Sequence, residues 1–218
     1  LYVLPGLADM HVHTDRATLP LFLANGVTTI RELNGSPALL ALRDSIAARQ
    51  VQGPRMFVSS PLLVGEANRF RHLVVKDADT ARALVRRFAA EGYDLIKIYD
   101  GLARDVYNAI VAEARVKNLP CTGHIPQPVG LDGILGVGQN IEHVEKIVYA
   151  TVGVANPDTI QAPVIAQRIA AAHITVNRAG RECRPGSCRK KPAGRSSGAP
   201  PADPCARARQ MARLNRKP

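Results

Sequence analysis

No run of apolar residues reaches the ~20 that a membrane-spanning helix needs, and no signal-peptide pattern opens the chain. These absences argue against a membrane protein. The chain starts at Leu1, inside what reads as a strand, so an export signal upstream is not excluded and the compartment stays open. Neither GxGxxG nor GxxxxGK follows any strand-like run, which removes the basis for a nucleotide-binding doubly wound sheet. Cysteine is scarce where the chain reads as ordered: Cys121 stands alone before residue 178, which excludes a disulfide framework.

The net charge of +11 is uneven. Residues 1–177 hold 17 Lys and Arg against 16 Asp and Glu, a balance of +1; residues 178–218 hold 12 against 2, a balance of +10. Every His, Ile, Val, Phe and Tyr also falls before residue 178. With Met211 and Leu214 as its only sizeable apolar side chains, the segment 178–218 cannot offset the entropy of ordering and is expected to be a disordered basic tail. Its Arg, Pro, Ala and Gly also match a GC-rich coding sequence read in the wrong frame, so a frameshift and an evolved basic arm both stand as readings. An arm of this charge raises nucleic acid as a partner, yet no aromatic interleaving or recognised nucleic-acid fold accompanies it. Cys183, Cys188 and Cys205 fit no standard zinc spacing.

Before that tail, apolar runs bounded by Gly and Pro alternate with stretches of helical period, the pattern of parallel strands joined by helices. Strands are expected near 3–12, 27–33, 55–63, 94–99, 120–125, 140–147 and 174–177. The segment DTARALVRRFAAEG sets Leu84, Val85 and Phe88 on one face and Arg82, Arg86 and Arg87 on the other, with Gly92 as the stop. RDVYNAIVAEARVKN repeats the design with Val106, Tyr107, Ile110, Val111 and Ala114 inward; further helices are expected near 18–25, 37–50, 129–137 and 157–172. Seven βα repeats are one short of a (β/α)8 TIM barrel, which takes roughly 250 residues. The fold expected for residues 1–177 is therefore an incomplete barrel of the α/β class.

A barrel builds its site at the C-terminal ends of its strands. His11 and His13, two apart in a strand, project to one side while Val12 faces away, so they can reach one cation or merely close the strand with hydrogen bonds. Lys97 lies between Ile96 and Ile98, where burial favours the neutral amine and so carbamate formation with carbon dioxide; the alternative is solvent or a pairing with Asp94 or Asp100. His124 follows Gly123, whose missing side chain permits a bend or a close approach. His143 lies within the expected sixth strand. Arg31 and Glu32 close the second strand as substrate contacts or as an ion pair; His72 follows the third, lining the mouth or serving no role; His173 reads as structural.

The motifs LPGLADMHVH, GVTTIREL (26–33), DLIKIYD, TGHIP (122–126) and IEHVEK (141–146) occur in the order found in the amidohydrolase superfamily of metal-dependent hydrolases, which residues 1–177 resemble. The lysine in its IK strand makes the nearer resemblance that to the Xaa-Pro dipeptidase branch, often labelled imidazolonepropionase-like. The resemblance implies a binuclear zinc site. His11 and His13 would hold one metal, His124 and His143 the other, and carboxylated Lys97 would bridge them. A metal-bridging hydroxide would then attack the polarised carbonyl of a small-molecule amide, dipeptide or cyclic amide and expel the amine, cleaving the carbon–nitrogen bond. Oligomeric state is left open, a homo-oligomer included. Two departures from the family pattern set a further expectation. The β-sandwich segment that precedes the HxH strand is missing, and the Asp that ends strand eight has no counterpart, since Glu182 and Asp203 are the only acids after residue 177. The chain thus reads as truncated at both ends, impaired in catalysis or a silent metal-binding fragment.

Overall fold

The apolar runs become short strands, several of them ended where a proline, a glycine or a helix cap takes the backbone out of the ladder. The computed structural model describes residues 2–151 and 162–177, all within the first of the two units, 1–179 and 180–218, into which the chain divides. The expected disorder, frameshift or basic arm of residues 178–218, the three cysteines there and the opening of the 157–172 helix lie outside the described residues.

The elements run β1 (Leu7–Val12), α1 (Leu19–Ala24), β2 (Val27–Glu32), α2 (Pro37–Ala47), β3 (Arg55–Val58), β4 (Leu62–Val64), β5 (His72–Val74), α3 (Ala78–Glu91), β6 (Ile96–Ile98), α4 (Arg104–Val116), β7 (Cys121–Gly123), α5 (Gly130–Leu135), β8 (Asn140–Glu142), α6 (Glu145–Thr151), α7 (Ala162–Ala171) and β9 (Val176–Asn177). Every strand pairing among the described residues is parallel. The sheets have the orders β1-β2-β3 and β5-β4-β6-β7-β8-β9, and a parallel bridge from Ser59 to Leu95 links the end of β3 to the start of β6. The described strands close no barrel.

The expected third strand, 55–63, divides in two. Pro61 has no N–H to give the ladder, so pairing stops there. The chain continues along β6 all the same: Ser60 N donates to Leu95 O at 2.8 Å and Tyr99 N to Leu63 O at 2.9 Å. Across the gap the Ser60 hydroxyl accepts the N–H of Lys97 at 3.0 Å. The break also frees the far side of β4 for β5, which is not among the seven strands expected from the sequence. The expected sixth strand ends early, at Glu142, because His143 adopts a left-handed φ of 68° and α6 begins at Glu145.

The helices follow the apolar periodicity. In α3 the Asp77 carboxylate caps Thr80 N at 2.7 Å and Gly92 ends the helix at φ 84°. Its Val85 and Phe88, with Tyr107 and Ile110 of α4, are fully buried in the core. Helix α2 opens on Ser36, whose Oγ accepts from Leu39 N at 3.3 Å, followed by Pro37 in the first turn. Ser36→Ala is expected to lower stability by about 1 kcal/mol, read from the urea midpoint at unchanged slope. No helix among the described residues is long and apolar enough to cross a membrane. Cys121 is a free thiol whose burial pushes its pKa up to about 12, which leaves it unreactive.

Candidate metal centre

Four histidines and one lysine, spread over more than 130 positions of sequence, meet at the C-terminal ends of β1, β6, β7 and β8. The rings form a row. His13 lies 5.4 Å from His11 between centroids, His11 lies 4.5 Å from His143, and His143 lies 5.2 Å from His124. Tyr99, just beyond β6, stacks on His124 at 3.9 Å.

Each member arrives by a different local device. Strand alternation sends His11 inward at the end of β1 and Val12 into the core, with His13 following past the strand end, its side chain 48% exposed. His124 depends on Gly123: a Cβ there would sit 1.9 Å from Ile98 O, so only glycine allows β7 so close to β6. That approach brings His124 N to Ile98 O at 3.1 Å. In β8 Glu142 already points inward, and a continuing strand would send His143 to the opposite face. The left-handed turn at His143 returns its ring to the row. Lys97 is 1% exposed, between two buried isoleucines.

Carboxylates hold the histidines by Nδ1. Glu142 Oε2 stands 2.8 Å from His11, Glu32 Oε1 stands 3.2 Å from His13 and Asp100 Oδ1 stands 3.0 Å from His124. These carboxylates are themselves engaged. Glu32 accepts the N–H groups of Thr14 and Asn34, and Asp100 accepts from Lys146 Nζ at 3.2 Å. Glu145 lies 3.8 Å from His143 Nδ1. A histidine that donates Nδ1–H to a carboxylate presents its Nε2 lone pair, the arrangement usual for metal-binding histidines.

Burial disfavours the charged forms of His11, His124, His143 and Lys97. Burial pushes the His124 pKa down to about 4 against the pull of Asp100, and burial with the charges of His11 and Lys97 puts His143 at about 4. His11 is lowered by burial, partly offset by its bond to Glu142. Burial likewise takes Lys97 down to about 7, with Glu142 opposing and Arg31 reinforcing the shift. Its Nζ has no hydrogen-bond partner, and neither does His124 Nε2. Asp94, one partner considered for Lys97, instead accepts from Arg43 and Val58 N.

Two unpartnered buried nitrogens on neighbouring strands, beside three more imidazoles, are chemically suited to a cation. No three His, Cys, Asp or Glu side chains among the described residues stand ready-made as a cation site.

Of the remaining sequence candidates, Arg31 joins the cluster through Glu142. Its Nε donates to Met10 O at 2.8 Å and its Nη2 to Glu142, so its ion pair crosses to β8 and does not involve neighbouring Glu32. His72 stays outside the row, its Nδ1 at Phe70 O, on the wall of a separate cleft of about 360 Å³ shared with Arg71, Phe88 and Tyr93. His173, with φ 53°, caps the turn after α7. The residue that sequence reasoning overlooked is Glu142. The available signal was an acid at the end of the strand NIE, directly before His143.

No protein-family model and no curated protein matches the chain. Solved structures do. Bottromycin amidohydrolase is 29% identical with a TM-score of 0.63, over 77% of this chain and 37% of that protein. A structure described as a prolidase from Bifidobacterium longum is 28% identical with a TM-score of 0.56, over 64% of this chain and 40% of that one. A further amidohydrolase, 22% identical with a TM-score of 0.60 over 79% of this chain and 52% of its own, shares the fold. The chain thus spans about two fifths of the first two structures it matches, and the structural likeness is to hydrolases of the amidohydrolase type.

Proposed function

We propose that residues 1–177 are the metal-holding part of a hydrolase that cleaves carbon–nitrogen bonds in amides, dipeptides or cyclic amides, laid out as strands of a (β/α)8 barrel. The observation that carries this reading is the pair of buried, unpartnered nitrogens, Lys97 Nζ and His124 Nε2, within the row of histidines. The names of the similar structures, an amidohydrolase and a prolidase, point the same way.

In this reading His11 and His13 would hold one zinc, His124 and His143 a second, with Lys97 contributing to both. Burial lowers the Lys97 pKa to about 7, which favours the neutral amine; that amine would form a nitrogen–carbon bond with carbon dioxide and release a proton, and the carbamate would add two oxygen donors to the site. When bound, such a cation pair polarises a carbonyl and lowers the pKa of water. The chain's own contribution is positioning: three carboxylates orient three imidazoles, and the β6–β7 contact at Gly123 holds Lys97 and His124 side by side.

A second reading, a metal-binding chain without turnover, draws on the acids present. Glu32, Asp100 and Glu142 each accept two or more hydrogen bonds. That leaves Glu145, half exposed and 3.8 Å from His143, as the least committed acid at the row.

A panel of Xaa-Pro dipeptides, simple amides and lactones, assayed with added zinc, separates the two. Hydrolysis that disappears on chelation and returns with zinc supports the hydrolase; bound zinc without turnover of any panel member supports the silent alternative.

A further inference from the structure

Glu142 is fully buried and takes donors from four strands. Its Oε1 accepts from Arg31 Nη2, Thr122 Oγ1 and, at 3.2 Å, Asn177 Nδ2, while Oε2 faces His11 Nδ1 at 2.8 Å. The arginine is cationic at any accessible pH, so the carboxyl beside it is ionised and has no proton to give. The proton between Glu142 and His11 must then sit on Nδ1.

We infer that Glu142 is a positioning residue that fixes His11 as its Nδ1–H tautomer and so presents the Nε2 lone pair to the histidine row. One acid thereby couples β2, β7 and β9 to the ligating face of β1. That Nε2 binds metal rests on the two-zinc reading above; the tautomer itself does not.

The isosteric variant Glu142→Gln inverts the arrangement while keeping the shape. Three donors converge on the Oε1 position, one of them a guanidinium, so the amide oxygen must occupy it. The amide NH2 then replaces Oε2 opposite His11, Nδ1 becomes an acceptor and the proton moves to Nε2. A metal would lose its lone pair.

The test uses the full metal-free chain with 15N-labelled histidine and long-range proton–nitrogen spectra near neutral pH, with the His11 signal assigned by its loss in His11→Gln. The expected result is Nδ1–H for His11 in the unaltered chain and Nε2–H in Glu142→Gln, with zinc affinity in the variant lower by roughly 10–100-fold. The same tautomer in both chains, or Nε2–H in the unaltered one, overturns the inference. Should Glu142→Gln fail to fold, the unaltered spectrum alone still decides, since Nε2–H there contradicts the assignment. A tautomer switch in a chain that binds no zinc would uphold this role of Glu142 and remove the two-zinc reading.

Discussion

Lys97→Met is expected to lower zinc affinity by more than about 100-fold, beyond what loss of an outer-shell partner usually costs, while making the metal-free protein more stable. The two effects share one cause. Above pH 7 the amine is neutral, 1% exposed and without a hydrogen-bond partner. An unsatisfied buried polar group costs about 1–3 kcal/mol, and a thioether of similar length removes that cost. In the proposed reading the lysine is kept for chemistry at a cost in stability. Zinc titration and urea denaturation of the metal-free chain measure the two sides. The same variant should lose the 13C carbamate resonance that labelled bicarbonate gives in the unaltered protein. A Lys97→Met chain that binds zinc normally, or that is destabilised as an ordinary core truncation would be, contradicts this account.

Gly123→Ala should be nearly as severe, for a steric reason. The new Cβ would lie 1.9 Å from Ile98 O and 2.7 Å from Ile98 C, both backbone atoms that no rotamer change can move. The residue's φ of 149° is also one that side-chain-bearing residues seldom adopt. β7 must therefore separate from β6 at the Ile98–Gly123 pairing, carrying His124 away from Lys97. A loss of about 3–5 kcal/mol is expected, together with weaker zinc binding. A urea midpoint within about 1 kcal/mol of the original would show that the sheet yields at this point without loss.

Parts of this architecture were legible from local pattern. The apolar stripe of α3 with its Gly92 stop, the inward face of α4 and the placing of His11 and His13 on one side of the chain all follow from spacing within one element. What escaped depends on single backbone events or on distance along the chain. Pro61 splits one strand into β3 and β4, and the freed edge recruits β5. His143 reaches the row through a left-handed turn, where strand alternation would have turned it outward. Glu142 was missed because its partners are remote: His11 is 131 positions away and Arg31 is 111. No window of sequence holds both ends of such a contact. The acid becomes meaningful only when β1, β2, β7 and β8 converge.

Zinc stoichiometry of the purified full chain, measured by elemental analysis after dialysis with bicarbonate present, addresses the central claim most directly. About two zinc per chain are expected, as in other paired-metal sites, falling on substitution of His11 or Lys97 by alanine. A chain that retains no zinc, or zinc that persists unchanged in both variants, would contradict the assignment of this row of histidines as a metal centre.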